Sequence, residues 1–267
     1  MNRHIILTRP AGSSSSLQSM LVAAGWQVTE LPALERFPLP LKAGEVPGLA
    51  SYSLVFFVSG YAVQVFFGML AKYGQHWPKG LYAGAVGMAT ANALQAQGVP
   101  ASQIIHPGPN TENQDSEAFF DELLKKDLGK FTSVLVVRGQ SGRQWLAEKL
   151  QALHIRVTYL PVYERKPRTW TTSESEQMLS LLQSNQEISW LLTSKESVDS
   201  VFNELKRNRL VQYCADHHFL VTHPRIAEQL HHHLKAVMVQ YNLPEKQVVI
   251  NICQPSDASI FEMLTIP

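Results

Sequence analysis

Short runs of apolar residues alternate along the chain with segments in which apolar residues recur every three or four positions. Residues 5 to 8 form the first run, and the series over residues 17 to 24 that follows it ends at Gly25. The same order recurs from residues 54 to 58, 133 to 137 and 188 to 192. A period of about 3.6 residues is typical of an amphipathic helix, and an unbroken apolar run is typical of a strand covered on both faces. The pattern therefore predicts an α/β fold with doubly wound, parallel sheets.

The chain also contains an internal repeat. When the sequence is moved along itself by one offset, the matched pairs include Arg9 with Arg138, Val28 with Val157 and Glu35 with Glu164. A slightly larger offset matches Ser59 with Ser194. We interpret this as two copies of one α/β unit. Two proline-bounded connectors, residues 32 to 38 and 161 to 167, fall at equivalent positions. They leave two arrangements open, which are tandem halves and domains interleaved along the chain.

Polar or glycine-bearing joints follow the predicted strands. They are Thr8-Arg9-Pro10, Ser59-Gly60-Tyr61, Gly87-Met88-Ala89-Thr90, Arg138-Gly139, Thr193-Ser194-Lys195 and His223-Pro224-Arg225. Ligands of open α/β sheets bind at the carboxyl edge of the strands, where helix N-termini present N–H groups to anions. At any single joint, a serine or threonine can simply cap a helix. Because so many joints carry Arg, Lys or a hydroxyl group, we predict a shared anionic ligand.

Composition limits the classes of partner. The chain has 267 residues, which suggests about two domains and a cleft. Charged residues make up 17% and the formal net charge is +1, so no global field attracts nucleic acid or an anionic membrane, and we expect neither partner. Cys214 and Cys253 have no CxxC spacing, which predicts reduced thiols and a cytoplasmic protein. No apolar stretch predicts a signal peptide or a membrane span.

Motifs for a bound nucleotide are missing. The sequence has neither GxGxxG after a predicted strand nor GxxxxGK[ST], so neither a dinucleotide nor a P-loop nucleotide is supported. We interpret the segment from Arg138 to Arg143 as an anion loop flanked by two guanidinium groups, since a guanidinium binds a carboxylate through paired hydrogen bonds. The alternative is a surface arginine at the start of a helix.

Histidines suggest a metal site, but their spacing argues against one. Cys214 precedes His217-His218, and histidine occupies residues 231 to 233. Adjacent helical residues point about 100° apart, so consecutive histidines cannot all face one ion. We therefore predict no metal and a solvated helix face at residues 231 to 233.

Tyr163 is the candidate catalytic group. It stands in the second connector, where Leu34 stands in the first. A phenol is protonated at neutral pH and can donate a proton to a leaving hydroxyl group in a cleft between domains. The alternative is an aromatic side chain that packs at a hinge.

With these residues assembled, the chain resembles the uroporphyrinogen-III synthase family over essentially its whole length. The motifs that carry the resemblance are ILTRP (6–10), FFVSGYAV (56–63), AVGMATA (85–91), VLVVRG (134–139) with GR at 142–143, VYER (162–165) and LTS (192–194). The resemblance implies two flavodoxin-like domains joined by a two-stranded linker. Residues 1–35 and 168–267 would form one domain, and residues 36–167 the other, with linker segments near 33–38 and 161–167.

The resemblance also implies an activity, in which hydroxymethylbilane loses water and closes with inversion of ring D. It implies no metal or organic cofactor, and Tyr163 as the catalytic residue. We expect a monomer that receives its substrate from the preceding pathway enzyme. The predicted substrate-binding residues are Thr8, Arg9, Ser59, Gly60, Gly87, Thr90, Arg138, Gly139, Arg143, Thr193, Ser194, Lys195 and Arg225.

The sequence departs from the family pattern at two places. Ile226 stands where the second copy would carry a threonine, and Gly60-Tyr61 replaces a pair of the Pro-Asn type. Two other functions stay open at this point. A non-catalytic two-domain protein that binds small polycarboxylate anions would share every feature except the cyclisation. A sugar-nucleotide transferase would need a nucleotide site, for which we find no motif.

Overall fold

A computed structural model describes residues 3–108, 111, 115–242 and 248–265. Contacts between residues divide the chain into two compact units. The first consists of Met1–Glu35 and Lys166–Pro267, and the second of Arg36–Arg165. The first unit is thus built from both ends of the chain and the second from its middle.

Strands and helices alternate along the chain. The strands are β1 (Arg3–Leu7), β2 (Gln27–Glu30), β3 (Leu34–Pro38), β4 (Leu54–Phe57), β5 (Tyr82–Ala85), β6 (Ile104–Ile105), β7 (Ser133–Gly139), β8 (Arg156–Pro167), β9 (Glu187–Leu192), β10 (His218–Val221) and β11 (Ile250–Ile252). The α-helices are α1 (Ser15–Ala23), α2 (Gly60–Lys72), α3 (Met88–Ala96), α4 (Ser116–Leu124), α5 (Trp145–Ala152), α6 (Thr172–Leu182), α7 (Lys195–Arg207), α8 (Pro224–Gln240) and α9 (Asp257–Thr265). No helix among the described residues has the length and apolar content that crossing a bilayer requires.

The sheet of the first unit has the strand order β11-β10-β9-β1-β2, and its neighbouring strands run parallel. Successive side chains of a strand point to opposite faces. Accordingly, Ile5 packs with residues of α1 and α9, whereas Ile6 packs with residues of α6, α7 and α8. Helices therefore cover both faces of this sheet, which explains why its central strands are apolar throughout.

The sheet of the second unit has the order β3-β8-β7-β4-β5-β6. The pairs from β8 to β6 are parallel, and β3 is the outer neighbour of β8. Val55 packs with residues of α2 and α3, and the next residue, Phe56, packs with residues of α4 and α5. This sheet is also covered by helices on both faces.

The internal repeat corresponds to equivalent strands. Taken by the matched residues, β7-α5-β8 is the copy of β1-α1-β2, and β4-α2-β5-α3-β6 is the copy of β9-α7-β10-α8-β11. The order β8-β7-β4-β5-β6 in the second sheet then matches the order β2-β1-β9-β10-β11 in the first. The two copies therefore share one strand order, although the chain visits their strands in a different sequence.

Several predicted boundaries shift in the structure. The prediction that Arg138-Gly139 forms a joint after a strand is wrong, because β7 continues through both residues and Gly139 pairs with Tyr163 after a register shift. The first strand ends at Leu7, so Thr8 lies just beyond it. The proline-bounded connectors are extended, since β3 covers Leu34–Pro38 and β8 runs on to Pro167.

Gly84 of β5 lies very close to α4, so substituting it tests how this strand and this helix pack in the second unit. A Cβ atom at this position of β5 would lie 2.7 Å from the ring of Phe119 on α4. We expect Gly84→Ala to lower the free energy of unfolding by about 1–3 kcal/mol, because overpacking forces the ring to move. Gly68→Ala in α2 is the matched control, since nothing lies within 4 Å of its added Cβ. It should be neutral or stabilising by up to about 1 kcal/mol. Urea unfolding measures both, and equal shifts in the two variants would contradict the packing assignment.

A second prediction concerns His218 at the start of β10. Burial lowers the pKa of this imidazole, whose Nδ1 lies 3.2 Å from Ser189 Oγ. The unfolded chain then binds the proton more readily than the folded protein. The contribution of His218 to the free energy of unfolding is therefore fully present above the pKa of the unfolded chain, about 6.5, and decreases as the pH falls below it. We expect the urea midpoint to decrease between about pH 7.5 and 5.5, and to decrease less in His218→Gln. An identical pH dependence in both proteins would exclude His218 as the source.

Candidate functional site

At the carboxyl edge of the first sheet, two predicted ligand-binding residues have partners inside the unit. Thr8 is buried, and its hydroxyl donates to the carbonyl of Leu191 at 2.6 Å. Arg9 donates to Asp257 Oδ1 at 2.5 Å and to the carbonyl of Pro255 at 2.8 Å. Asp257 is the first residue of α9, where the helix dipole favours a carboxylate. The Arg9–Asp257 pair therefore joins the end of β1 to the start of α9.

The N-termini of α7 and α8 lie at the same edge. Ser194 caps α7, because its Oγ accepts a hydrogen bond from the backbone N–H of Ser197 at 3.0 Å. Thr193 precedes the cap and is half-buried, whereas the side chains of Lys195 and Arg225 are exposed in the first turns of α7 and α8. Two exposed cations and two helix N-termini are groups that attract an anion.

In the second unit, the N-termini of α2 and α3 carry the equivalent groups. Ser59 caps α2 through a hydrogen bond of 3.2 Å from a first-turn N–H. Gly60 begins this helix, and a Cβ there would lie 3.6 Å from the Cβ of Ala93 on α3. Gly87 immediately precedes α3, and Thr90 is buried in its first turn. The edge thus presents two closely packed helix N-termini, which is a common setting for anion binding.

Arg138 is buried at this edge without a carboxylate partner among the described residues. It is 8% exposed, and its guanidinium donates to the backbone carbonyls of Gly139 and Arg143, each at 3.2 Å. The guanidinium carbon also lies 5.0 Å from the ring centroid of Tyr159, within the range of a cation–π interaction. Its repeat equivalent, Arg9, has Asp257 instead. The positive charge of Arg138 is therefore met by dipoles and a ring rather than by a negative charge.

The loop after β7 is built around this guanidinium. Gly142 has a positive φ of 153°, and a Cβ there would collide with Nη2 of Arg138. The next residue, Arg143, is exposed and pairs with Glu117 on α4, one of the two contacts being 3.2 Å from Nη1 to Oε2. An exposed ion pair contributes little stability. Arg143 can therefore exchange Glu117 for another carboxylate at low cost.

Tyr163 lies in β8 beside the last residue of β7. A Cβ at Gly139 would lie 2.9 Å from Cε2 of the Tyr163 ring, so only glycine permits this approach. The backbone N–H of Gln140 donates to the carbonyl of Tyr163 at 2.8 Å. The ring is buried, yet no described residue forms a hydrogen bond with its hydroxyl group. Tyr163 is thus fixed by its ring and backbone, and its phenol O–H is unused.

Sequence reasoning missed several residues that build these edges. The ring of Tyr61, in the first turn of α2, stands nearly perpendicular to that of Tyr163, with centroids 5.1 Å apart and an interplanar angle of 82°. The Tyr61 hydroxyl donates to the carbonyl of Arg36 at 3.1 Å. Asp257 and Glu117, the partners of two predicted arginines, were also missed. Tyr61 lies in a motif noted above, but its partners are distant in sequence, and no periodicity points to such pairs.

No group of three or more His, Cys, Asp or Glu residues in the described part of the chain is arranged to hold a metal ion. The prediction of a solvated face at residues 231 to 233 is wrong for His233. This ring stacks on Phe202 at 4.9 Å, and its Nε2 lies 2.7 Å from Asp199 Oδ1. Burial alone would raise the pKa of Asp199, but its hydrogen bond with His233 and other nearby donors hold that pKa below its usual value. His233 therefore packs against α7.

The sequence is similar to that of one known protein family. The family described as HEM4, uroporphyrinogen-III synthase HemD, matches residues 15–242. The uroporphyrinogen-III synthase of Salmonella typhimurium is 30% identical over 174 residues, which cover 64% of this chain and 68% of that protein. The corresponding protein of Escherichia coli is 29% identical over 165 residues, which cover 60% and 64%. The chain thus matches about two thirds of the length of these curated relatives.

Solved structures agree at the level of the fold. The uroporphyrinogen-III synthetase of Helicobacter pylori superposes with a TM-score of 0.55 at 18% identity, covering 98% of both chains. A mutant uroporphyrinogen III synthase of Thermus thermophilus gives a TM-score of 0.51 at 13% identity, covering 90% of this chain and 97% of that one. The fold is mixed α/β with parallel sheets. Because the family match extends over most of the chain, this protein belongs to the uroporphyrinogen-III synthase family.

Proposed function

We propose that this protein converts hydroxymethylbilane, a linear tetrapyrrole, into uroporphyrinogen III in tetrapyrrole and haem biosynthesis. The observation that carries the proposal is the family match over residues 15–242. The reaction eliminates water and closes the ring, so the enzyme is a hydro-lyase. The electron-rich pyrroles themselves supply the electrons, and the proposal includes no metal or organic cofactor.

The chemistry balances without an added reactant. Electrons of ring A expel its hydroxymethyl oxygen, the C–O bond breaks, and a proton joins the departing oxygen to give water and an azafulvene cation. The cation forms a bond to the substituted carbon of ring D, which gives a spiro intermediate. The older bond between ring D and the ring C bridge then breaks, and the bridge carbon rejoins ring D at its free carbon. Loss of a proton from that carbon restores the pyrrole, so the substrate equals the product plus water.

Tyr163 is the proposed proton donor to the departing hydroxyl group. Three features support the role: a ring held by Gly139, a backbone held by Gln140, and a phenol O–H without a described partner. A positioned acid assists the C–O cleavage when its proton can reach the departing oxygen, and an O–H without a protein acceptor has no such bond to break first. The rest of the catalytic effect would come from holding the chain so that ring D is attacked at its substituted carbon.

The carboxylates of the substrate are the proposed ligands of the polar edges. Arg138 supplies a buried charge without an acid, and Arg143 has an exchangeable partner. We propose that the substrate contacts are Ser59, Gly60, Gly87, Thr90, Arg138, Gly139, Arg143, Thr193, Ser194, Lys195 and Arg225. For Thr8 and Arg9 we propose a supporting role, because their side chains already bind Leu191, Asp257 and Pro255.

The finer architecture is also a proposal. We propose two flavodoxin-like domains, residues 1–35 with 168–267 and residues 36–167, with segments near 33–38 and 161–167 as a two-stranded linker. Numbered by repeat position, the five repeat strands of each sheet have the order 2-1-3-4-5, and β3 adds a sixth strand to the second sheet. The order 2-1-3-4-5 is that of flavodoxin. The position of β3 beside β8 supports the linker. We further propose a cytoplasmic monomer that receives its substrate from the preceding pathway enzyme.

A product analysis tests the activity. The protein is incubated with freshly generated hydroxymethylbilane, and the uroporphyrinogen isomers are oxidised and separated. We expect isomer III in excess over the isomer I that forms in buffer alone. Isomer I alone, formed at the buffer rate, would overturn the proposal and leave only binding of an anionic ligand.

The role of Tyr163 predicts a loss of turnover. Tyr163→Phe keeps the ring against Gly139 and removes only the O–H, so we expect kcat to decrease about fivefold, with water as a poorer replacement donor. The free energy of unfolding should be unchanged, because the hydroxyl has no described hydrogen bond to lose. Tyr241→Phe, an exposed tyrosine after α8, is the control and should keep wild-type kcat. Equal kcat for wild type and Tyr163→Phe would remove Tyr163 from the mechanism.

We expect opposite results when the two repeat-related arginines, Arg138 and Arg9, are each replaced by methionine. Arg138→Met removes a charge that no described carboxylate neutralises, and we expect KM for hydroxymethylbilane to rise about tenfold to a hundredfold, the loss expected for one charge-assisted contact. Arg9→Met removes a charge already paired with Asp257, so it should leave KM near the wild-type value and lower the urea midpoint. If Arg138→Met unfolds the protein or leaves KM unchanged, Arg138 has only a structural role.

A further inference from the structure

Two tyrosines meet at the carboxyl edge of the second unit, and their hydroxyl groups are used differently. The phenol of Tyr61 donates to the carbonyl of Arg36 at 3.1 Å. The phenol of Tyr163 has no described partner. Tyr61 is therefore tethered to the protein through its oxygen, and this bond leaves its O–H proton unavailable to a ligand.

The ring of Tyr61 is also held on its face. The guanidinium carbon of Arg36 lies 4.4 Å from the ring centroid, which is within the distance of a cation–π interaction. The same residue thus binds both the hydroxyl and the face of Tyr61, and it belongs to β3, the neighbour of β8 in the sheet. The ring of Tyr61 consequently has little freedom to turn.

The ring of Tyr163 contacts the ring of Tyr61 and the backbone at Gly139. The rings of Tyr61 and Tyr163 make an edge-to-face contact at 5.1 Å and 82°, a favourable aromatic geometry. Gly139 approaches the Tyr163 ring so closely that a Cβ would lie 3.0 Å from Cζ, the atom that carries the hydroxyl. The direction of the Cζ–Oη bond of Tyr163 is therefore set jointly by Gly139 and Tyr61.

We propose that Tyr61 is a positioning residue for Tyr163: clamped by Arg36, its ring fixes the direction in which the Tyr163 hydroxyl is presented to substrate. The inference rests on the proposed cyclisation, with Tyr163 as its proton donor. Tyr61 itself transfers no proton in this scheme. Misdirecting a reacting group by a fraction of an ångström slows the chemical step more than it weakens binding. Loss of Tyr61 should accordingly reduce kcat and leave KM unchanged.

The test is a double-mutant cycle on the full-length protein, with hydroxymethylbilane as substrate. Tyr61→Leu removes the aromatic contact, and Tyr61→Phe keeps the ring but loses the tether to Arg36. Each is made in the wild type and in Tyr163→Phe. We expect kcat to fall about fivefold in Tyr61→Leu and about twofold in Tyr61→Phe, with KM unchanged. In the Tyr163→Phe background, neither change should lower kcat further, because the hydroxyl being positioned is absent.

The outcomes separate the two levels of the proposal. If the wild type makes no excess of isomer III, the proposed function fails, whatever the variants do. If the wild type is active but each Tyr61 variant loses the same factor in both backgrounds, Tyr61 acts on the fold and the positioning role is wrong. An increase in KM with unchanged kcat would also overturn it. Should Tyr61→Leu not fold, by circular dichroism and urea unfolding, the Tyr61→Phe pair decides alone, and an equal loss in both backgrounds again refutes the role.

Discussion

A guanidinium group removed from water must be matched by a charge or by dipoles, because an unmatched buried charge is among the most costly features that a fold can contain. The two copies of the repeat meet this constraint in different ways. Arg9 has a carboxylate, Asp257, at the start of α9. Arg138 has two backbone carbonyls and the face of Tyr159. Carbonyl dipoles satisfy hydrogen bonds without cancelling the net charge, so the charge of Arg138 is not neutralised by a described carboxylate, whereas that of Arg9 is neutralised by Asp257.

The same guanidinium shapes the backbone around it. Gly142 lacks a side chain where Arg138 needs the space, and Gly139 lacks one where the ring of Tyr163 needs it. The end of β7 and the loop after it therefore hold the charge of Arg138 and also leave space for the ring of Tyr163. Charge and phenol come together through packing, since β7 and β8 are neighbours whose register shifts at Gly139. Under the proposed function, Arg138 would bind a carboxylate of the substrate next to the phenol that assists the loss of water.

The fold was largely predictable from the sequence. Hydrophobic periodicity indicates each strand and helix from neighbouring residues alone, and the repeat indicates which of these elements are equivalent. The carboxyl-edge position of the serine caps, Ser59 and Ser194, follows from the same rule. The partners of the arginines were not predictable. Asp257 pairs with Arg9 across almost the whole chain, and Glu117 pairs with Arg143 from another helix. Nothing in local periodicity marks a pair that forms only when distant strands and helices have assembled.

The two copies of the repeat use their polar side chains in different ways. In the first unit, the hydroxyl of Thr8 donates to the carbonyl of Leu191, and the guanidinium of Arg9 pairs with Asp257. Both contacts lie at the sheet edge. In the second unit, the ring of Tyr163 packs against Gly139 and the ring of Tyr61, and its hydroxyl group forms no hydrogen bond with a described residue. Packing of this kind has a direction, because an aromatic ring wedged between a backbone and another ring can point its hydroxyl one way only. A reaction whose difficulty lies in selecting the position of attack benefits from such fixed geometry more than from a strong acid, and under the proposed function the contact between Tyr61 and Tyr163 would supply it.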